Sequence, residues 1–363
     1  MTHDIIVLGA GMVGVGCALH LQAKGQAVAL VDRRAPGLET SYGNAGIIQR
    51  EAIGPYALPR DLGFLLSGMA NQRVDVRYQA SDAARMLGPL WAYYRNSAPA
   101  AYRRISREYE TLIALSLDTH QALMNDAGAQ ALVAGQGYLM LYRTERELHS
   151  FFEVADERAQ QGVNHIKLSG ADVAREEPAL VGHFAGAVRW TDPWAISSPG
   201  DLVQAYARLF EQRGGALHLG DATTLRKTDH GAWQVSTASG HTLTARQVVV
   251  ALGPWTTQLT ARFGYAAPVI PKRGYHMHYA RLPGKPLNST VIDAEYGYVV
   301  APMKDGLRLT TGAELAHVDS PRNPAQIDAA EKIARQNFPL GKRVDAEPWM
   351  GTRPCMPDMK PVF

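Results

Sequence analysis

The first 32 residues contain a pattern that few folds can accommodate. An apolar run at residues 5–8 is followed at once by glycines in GxGxxG spacing, and a second apolar run at residues 27–31 ends on Asp32. The glycines are Gly9, Gly11 and Gly14. A strand, a glycine turn, a helix that stops at Gly25 and a second strand, in this order, predict a βαβ unit that binds a dinucleotide.

Each glycine of this motif has a separate physical role. Gly9 permits the tight turn, Gly11 lets the backbone approach a pyrophosphate, and Gly14 lets the helix pack on the strand. Met12 and Val13 then form the helix N-terminus, which faces the negative charge of the phosphates. Asp32 is expected to hold the adenosine ribose through its hydroxyl groups.

The motif alone leaves NAD and FAD open. Arg33 and Arg34 follow Asp32 and could indicate the 2′-phosphate of NADP, but the Asp32 carboxylate would repel that phosphate. A second GxGxxG does not occur downstream, so no separate NAD(P)H domain is indicated. The reducing electrons are therefore expected to come from an organic substrate.

The segment "ETSYGNAGII" decides between the two cofactors by resemblance. Small residues there surround Asn44, and such a loop lets the backbone lie close to a flat ring. Together with the βαβ start, this segment resembles the D-amino acid oxidase superfamily of flavoproteins, most closely the small subunits of bacterial D-amino acid dehydrogenases. The resemblance implies that FAD is the cofactor and that its ribitol and isoalloxazine lie along Ser41, Asn44, Ala45 and Gly46.

Two later segments carry the same resemblance. In "ALHLGDATTLRK", Ala222 matches the position at which such flavoproteins present a backbone amide and carbonyl to adenine. In "ARQVVVALGPWT", a valine run leads into Ala251, Gly253 and Trp255, which resemble the strand and turn beside the dinucleotide. These residues, together with Arg33, complete the expected cofactor site.

The segment "GTRPCMPD" near the end of the chain resembles the "GxRP" stretch whose arginine pairs with the substrate carboxylate in D-amino acid oxidases. The resemblance implies this role for Arg353, and a planar guanidinium suits a carboxylate as lysine does not. We expect Gly351 and Pro354 to restrict the backbone around it. Tyr296 and Tyr298 fall in one expected strand, and Tyr298 is preferred over Tyr296 as a second substrate contact.

The resemblance implies an α/β fold in which a Rossmann-like FAD-binding domain of the glutathione-reductase type holds an inserted α+β substrate domain with an antiparallel sheet. We expect the FAD-binding domain at residues 1–53 and 196–262. Residues 54–195 form a helical region, with two or three helices by residue 126, and the start of the substrate domain. Residues 263–345 form its sheet. Residues 346–363 are expected to return to the FAD-binding domain and to be truncated, since relatives continue beyond "KPVF".

Composition and short motifs limit the partners, metals and cellular locations that the sequence indicates. The net charge of +3 comes from 37 basic and 34 acidic residues without a long basic run, which does not indicate a nucleic-acid partner. The two cysteines have no metal or disulfide spacing, and His276 and His278 lack a third ligand by sequence, so no metal is expected. With no signal peptide or spanning segment, we expect a cytoplasmic protein. The apolar segment "DLGFLLSGMANQR" leaves peripheral association with the inner membrane open.

The predicted activity is oxidative deamination of a D-amino acid, or of a related secondary or cyclic amine, by hydride transfer from Cα to flavin N5. The imine would hydrolyse to a keto acid, and the electrons would pass to a quinone or a partner subunit. Two alternatives stay open: an amine oxidase of the glycine or sarcosine type that uses O2, and a flavin-binding subunit without turnover. The cofactor is expected to be non-covalent, because the attachment cysteine of some sarcosine oxidases corresponds to Gly351 here.

Overall fold

The computed structural model describes residues 2–362, which fold as two compact units. Unit 1 consists of the chain up to Gly43, Gln121–Leu132 and Ser198–Val269. Unit 2 consists of Asn44–His120, Val133–Ser197 and the chain from Ile270 onward. Both units are therefore assembled from separated stretches of sequence.

The regular elements are numbered in chain order. The α-helices of the described residues are α1 (Met12–Ala23), α2 (Leu62–Met69), α3 (Ala83–Asn96), α4 (Pro99–Ile113), α5 (Ser116–Ala127), α6 (Glu145–Ala159), α7 (Gly170–Glu176), α8 (Pro199–Gln212), α9 (Thr256–Thr260) and α10 (Ala325–Asn337). Short 3-10 helices lie at Ala80–Asp82, Gln130–Leu132, Ala222–Thr224, Gly253–Trp255 and Ala261–Phe263.

The strands alternate with these helices in both units. They are β1 (Thr2–Leu8), β2 (Val28–Asp32), β3 (Ile47–Ile48), β4 (Val76–Tyr78), β5 (Val133–Tyr142), β6 (His165–Ser169), β7 (Gly186–Ile196), β8 (Ala216–Leu219), β9 (Arg226–Lys227), β10 (Trp233–Ser236), β11 (Thr242–Val250), β12 (Ile270–Arg281), β13 (Val291–Asp293), β14 (Val299–Met303), β15 (Gly306–Thr310), β16 (Ala313–Leu315), β17 (Leu340–Arg343) and β18 (Trp349–Cys355).

Unit 1 is built on a six-stranded sheet in the order β8-β2-β1-β11-β10-β9. The first four strands are parallel, and β10 and β9 continue the sheet antiparallel. The residues of β1 and β2 are almost entirely buried from Ile5 onward, as continuous apolar runs predict for central parallel strands. The parallel strands end together at one edge, where ligands of such sheets bind.

Helix α8 forms as its sequence predicts. Ser198 is the N-cap and accepts a hydrogen bond from the backbone N–H of Asp201, and Pro199 occupies the first helical position. One face of the helix is apolar and buried throughout, formed by Leu202, Ala205, Tyr206, Leu209 and Phe210. The chain turns away at Gly214, which has φ of 85°, a left-handed conformation that glycine adopts without a steric penalty.

Unit 2 is built on a twelve-stranded mixed sheet. Its main path runs β3-β7-β5-β13-β14-β15-β12-β16-β4, with β6 paired to β7, and β17 and β18 paired to β12. A tight hairpin joins β14 to β15, where Met303 pairs with Gly306. Helix α10 packs on β12 and buries Ile327, Ala330 and Ala334 in the main core of this unit.

The predicted division differs from the structure in several stretches. Residues 44–53, 196–197 and 346–363, assigned by sequence to the FAD-binding domain, group with unit 2, and residues 121–132 and 263–269, assigned to the helical region and the substrate domain, group with unit 1. The physical reason is strand pairing, because β3 pairs with β7 and β18 pairs with β12 along its whole length. The helical region after residue 54 holds four helices, α2 to α5, and not the two or three expected. Within residues 2–362 no helix is long and apolar enough to cross a membrane.

Candidate functional site

The glycine turn between β1 and α1 is the first part of the site, and it requires glycine twice. Gly9 has φ of 103°, and a Cβ atom there would lie 2.4 Å from the carbonyl oxygen of Ala251. A Cβ atom at Gly14 would lie 1.7 Å from the carbonyl oxygen of Gly9. The turn, the helix and the end of β11 therefore approach each other at backbone distance, which fits the tight turn predicted for Gly9 and the packing role predicted for Gly14.

Gly11 differs from Gly9 and Gly14, because the space beside its Cα atom is open. The only heavy atom within 4 Å of a Cβ placed there, apart from its own surroundings in the chain, is the Oγ of Ser41 at 3.2 Å. The N–H of Met12 donates to the same Oγ, at 3.0 Å, while the amides of Val13 and Gly14 have no acceptor in the described part of the chain. A helix N-terminus with unused amides beside an open glycine fits a phosphate group.

Asp32 lies at the end of β2 with its carboxylate held by the backbone. One oxygen accepts from the N–H of Ala10 at 2.6 Å, and the other accepts from the N–H of Arg34 at 3.0 Å. A carboxylate has about four acceptor positions, so two remain for the hydroxyls of a ribose. The arrangement of the Asp32 carboxylate therefore fits the predicted ribose contact.

Arg33 is occupied by protein groups. Its guanidinium makes two hydrogen bonds to Glu39, at 3.0 and 2.8 Å, and lies 4.2 Å from the ring centroid of Trp255. An arginine that is neutralised by a carboxylate and stacked on an indole is poorly suited to bind a 2′-phosphate. This arrangement disfavours NADP and agrees with the sequence argument from Asp32.

The remaining predicted residues of unit 1 lie at the same sheet edge. Ala251 directly follows β11, and its N–H donates to the carbonyl of Leu8. Gly253 begins the 3-10 turn that contains Trp255 and has φ of 55°. Ala222 begins the 3-10 turn after β8, and its N–H has no acceptor in the described residues. Unit 1 thus brings together the residues expected to contact the phosphates, the ribose and the adenine, a donor set that fits FAD.

The predicted loop residues Asn44, Ala45 and Gly46 belong to unit 2, where they are tightly held. The Asn44 side chain accepts from the N–H of Gly46 at 2.8 Å, and the Asn44 carbonyl accepts from Nη1 of Arg308 at 2.8 Å. Gly46 has φ of 70°, and a Cβ there would lie 2.3 Å from the carbonyl oxygen of Ile196. The loop is therefore fixed by backbone contacts that only glycine permits, as expected of a segment that must place its atoms accurately.

Arg308 connects this loop to a buried histidine. Its Nε donates to Nε2 of His278 at 2.9 Å, so the neutral ring carries its proton on Nδ1 and donates to Asp345 at 2.8 Å. Burial, followed by the charge of Arg308, lowers the pKa of His278. His278 can accept the hydrogen bond from Arg308 only as the neutral ring.

The same residues form a cluster of metal-ligand type that the sequence did not place. His276, His278 and Asp345 have ligand atoms within 4.8 Å of one another, so Asp345 supplies the third group missing from the sequence argument. Both ring nitrogens of His278 are nevertheless engaged, one of them with the guanidinium of Arg308. A cation at this cluster would face a fixed positive charge, so the arrangement disfavours a metal.

Strands β12 and β18 form the part of the sheet that carries Arg353. Directly opposed residues of antiparallel strands share a face, and Lys272 is paired with Arg353, Gly274 with Gly351 and His276 with Trp349. We call this set of six residues the Arg353 face. The alternate residues of β12, among them Tyr275, Met277 and Tyr279, point into the main core of unit 2. The Arg353 face is therefore the side of these strands that is not used for that core.

Arg353 is half-buried and its charge has no acidic partner in the described chain. Nη1 donates to the carbonyl of Gly312 at 2.9 Å and Nη2 to that of Thr311 at 3.3 Å. Two of the five N–H groups are thus used, and three are left for a ligand. Burial lowers the pKa of the guanidinium, and the groups that oppose this effect are Cys355 and Tyr56.

Two glycines make room on the Arg353 face. A Cβ atom at Gly274 would lie 2.6 Å from Nη2 of Arg353, and one at Gly351 would lie 2.1 Å from the indole of Trp349. Gly351 therefore accommodates the indole ring of Trp349. The arginine is positioned by strand pairing and by Gly274, a residue that sequence reasoning missed. An isolated glycine inside the strand pattern "KRGYHMHY" was the available signal of a close approach.

Tyr298 does not lie where a substrate contact requires. It precedes β14, its side chain is 0% exposed, and its ring packs edge to face on Phe338 with centroids 5.9 Å apart. Burial raises the pKa of its phenol. Tyr298 is therefore a core residue.

Comparison with known proteins agrees with this geometry. The family model described as FAD dependent oxidoreductase, DAO, matches residues 4–363. The D-amino acid dehydrogenase of Methylobacterium nodulans is 30% identical over 99% of this chain and 86% of its own length, and that of Chromohalobacter salexigens is 28% identical over 99% and 87%.

Among solved structures, glycine oxidase from Geobacillus kaustophilus superposes with a TM-score of 0.71 at 21% identity, covering 99% of this chain and 85% of that one. This likeness concerns the fold, which is mixed α/β in both proteins. The match of the family model over nearly the whole chain, together with a donor set that fits FAD, shows that the chain belongs to the DAO family of FAD-dependent oxidoreductases.

Proposed function

We propose that this chain is a dehydrogenase that oxidatively deaminates D-amino acids and that Arg353 binds the substrate carboxylate. The observation that carries the proposal is a half-buried arginine with three unused N–H groups and no acidic partner in the described residues. Leaving such a cation unpaired is costly, and a carboxylate ligand would offset that cost. The relatives named D-amino acid dehydrogenase support the choice of substrate class.

The geometry of Arg353 suits this task. Its two carbonyl contacts fix the plane of the guanidinium, and the remaining donors form a fork that matches the two oxygens of a carboxylate. Gly274 gives the fork its space on the strand face. Binding of the carboxylate in this way orients the α-carbon of the substrate, which is the main contribution a protein makes to flavin chemistry.

The cofactor defines what else the protein must do. FAD, when bound, supplies an acceptor for the hydride of the substrate α-carbon, so no nucleophilic side chain is needed. The protein must hold the dinucleotide through Gly11, the first amides of α1 and Asp32, and must hold the loop at Asn44 through Arg308. The resulting imine hydrolyses to a keto acid and ammonia.

The test is anaerobic titration of the purified yellow protein with a panel of D-amino acids. We expect the flavin absorbance to bleach with at least one of them and to return slowly when air is admitted. A protein that bleaches but reoxidises within seconds is an oxidase of the glycine or sarcosine type. A protein that stays yellow with every D-amino acid contradicts the proposed function and favours a subunit without turnover.

A surface of unit 2 supports transfer of the electrons to a lipid-soluble quinone. Helix α2 exposes Leu62, Leu66 and Met69 at 65 to 76%, and helix α3 exposes Leu87 and Trp91 at 66 and 62%. Exposed side chains of this size and number mark an interaction surface. We propose that this surface contacts anionic lipid at the cytoplasmic face of the inner membrane.

Charge and local packing support this choice of occupant. Residues 83–107 contain five arginines and no acidic residue, which favours anionic lipid over a neutral apolar partner. Arg60 lies 3.9 Å from the ring centroid of Tyr94, and Tyr94 stacks on Trp91 at 5.7 Å. The start of α2 and the exposed face of α3 are thereby joined into one patch.

Vesicle sedimentation tests the surface independently of turnover. We expect the protein to sediment with vesicles that contain phosphatidylglycerol and to stay in solution with phosphatidylcholine alone. Replacing Leu62, Leu66 and Trp91 together with serine should abolish sedimentation, whereas serine at the exposed Val181 of unit 2 should not. Equal sedimentation of the triple variant and the parent would contradict the assignment of this patch.

A further inference from the structure

Lys272 lies directly opposite Arg353 on the Arg353 face. The register of β12 and β18 pairs the two residues, and directly opposed residues of antiparallel strands have Cβ atoms about 5 Å apart on the same face. Both side chains are half-buried. Two cations are thus neighbours across a strand pair, next to a glycine whose missing side chain makes room for the guanidinium of Arg353.

Neither cation is neutralised by the protein. Within the described chain, no carboxylate forms an ion pair with Lys272 or with Arg353. Like charges that lie directly opposite in a sheet destabilise it, and the cost grows when water is partly excluded. A local arrangement that opposes folding in this way is typical of a binding site, where a ligand supplies the missing charge.

The ammonium group of Lys272 is fixed on this face by Tyr93. Nζ donates to the phenol oxygen of Tyr93 at 3.1 Å and lies 4.2 Å from the centroid of its ring. The same phenol donates to the backbone carbonyl of Tyr56, which holds the Tyr93 ring in place. One of the three ammonium N–H groups is therefore used, and two are available for an anion.

We infer that Lys272 forms a second anion subsite beside Arg353 and that the substrates of this enzyme are acidic D-amino acids, which carry one carboxylate for each cation. The inference rests on the proposed function for the role of Arg353 and adds the side-chain preference. The two carboxylates of an aspartate- or glutamate-like substrate are separated by a short methylene chain, which suits cations on adjacent strands. A neutral side chain would leave the Lys272 charge uncompensated.

One competing arrangement uses the same residues. Lys272 and Arg353 could share a single carboxylate, in which case the substrate side chain would be free to be neutral. The two arrangements differ in one measurable quantity, the preference for a dicarboxylate over a monocarboxylate of similar length. Loss of Lys272 removes this preference in the first arrangement and weakens both kinds of ligand equally in the second.

The experiment measures binding of glutarate and butyrate to the oxidised holoenzyme through the perturbation of the flavin absorbance. In the parent protein we expect glutarate to bind at least ~10-fold more tightly than butyrate, as a partly desolvated charge pair is stronger than an exposed one. In Lys272→Met the ratio of the two dissociation constants should fall to about one. Lys332→Met, at an exposed position of α10, makes the same change in net charge and should keep the parental ratio.

The outcomes separate this inference from the proposed function. A parental ratio near one, or a ratio that survives in Lys272→Met, overturns the second subsite. If the methionine variant fails to fold, Lys272→Arg keeps the charge and should keep the preference for glutarate, and its loss there counts against the subsite. Failure of every D-amino acid to bleach the flavin would instead contradict the proposed function. The glutarate titration is independent of that result, because it needs no turnover.

Discussion

A β-carbon added at Gly274 would lie 2.6 Å from Nη2 of Arg353, closer than nonbonded atoms of this kind approach. The guanidinium therefore occupies the volume in which any other residue at position 274 would place its side chain. The position of the candidate substrate-binding arginine is determined by a glycine on the neighbouring strand, 79 positions earlier in the sequence.

Gly274→Ala should displace the guanidinium and weaken substrate binding while FAD is retained. We expect at least a roughly fivefold rise in the half-saturating substrate concentration, the equivalent of about 1 kcal/mol for a disturbed hydrogen bond to a charged group. Titration by flavin bleaching measures it, with Gly135→Ala as the strand control because a Cβ there meets nothing within 4 Å. In an Arg353→Ala background, Gly274→Ala should raise the half-saturating substrate concentration little further. Full additivity of the two effects would show that the two residues act independently.

Arg353→Ala should keep its FAD and raise the half-saturating substrate concentration at least ~30-fold. Truncating one partner of a partly buried charge pair costs about 2 to 5 kcal/mol, whereas an exposed pair contributes about 1 kcal/mol or less. Arg353→Lys should recover part of the loss, since lysine lacks the planar fork. Arg103→Ala, at an exposed position of α4, controls for net charge. Near-normal binding in Arg353→Ala would remove this residue from the site.

Gly11→Val should give a folded but colourless protein. A Cβ atom at this position approaches only the Ser41 hydroxyl, at 3.2 Å, so the turn can form while the valine methyl groups fill the space expected for a phosphate. The flavin absorbance of the purified variant and its circular dichroism measure cofactor and fold separately. Gly16→Ala, in the same helix with open space around it, should stay yellow. A fully yellow Gly11→Val protein is incompatible with the site.

The flavin should be released when the protein is precipitated with acid, because the residue that corresponds to the attachment cysteine of some sarcosine oxidases is Gly351. Gly351 lies against the indole of Trp349 and offers no nucleophile. The fluorescence of the supernatant and of the washed pellet measures the two fractions. Flavin that stays with the polypeptide would point to Cys355, four residues further along β18, and Cys355→Ser would then identify the bond.

Protonation of His278 should destabilise the protein below the usual histidine pKa of 6.5. Burial and Arg308 lower the pKa of His278 in the folded state, so the unfolded state binds more protons in this range and the free energy of unfolding falls as the pH falls. One proton contributes at most about 1.4 kcal/mol per pH unit.

Urea unfolding of the parent and of His278→Gln between pH 8 and pH 5 measures this contribution. The parent should lose more stability below pH 6.5 than the variant, because glutamine at this position does not titrate. His230→Gln, on an exposed turn of unit 1, is the control and should follow the parent. Parallel pH profiles for the parent and His278→Gln would show that His278 is not held neutral by Arg308.

The βαβ start could be predicted because its determinants are local. The strand, the glycine turn and the acidic strand end lie within the first 32 residues, and each glycine is required by a backbone contact that the motif itself implies. The start of α8 was predictable for the same reason, since Ser198 and Pro199 act on the adjacent turn of helix. Local sequence is sufficient where the partners are neighbours in the chain.

The helical region after residue 54 could be predicted only in part. Helical spacing of apolar residues identifies a helix, but it does not say whether the apolar face meets the core. Trp91 is 62% exposed, whereas Tyr93, two residues later, is 4% exposed and accepts a hydrogen bond from Lys272. Burial here depends on which face of α3 meets β12, and that contact joins residues far apart in the chain.

The dinucleotide motif and the family could be predicted from the sequence, and Arg353 could be named as a candidate, because these inferences depend on short stretches read in order. What surrounds Arg353 depends on the tertiary structure. The pairing of β12 with β18 places Lys272 and Gly274 beside it, and the packing of the main core withdraws Tyr298 from the candidate site. Strand register between residues some 80 positions apart is set by the packing of the whole sheet, and no local pattern encodes it.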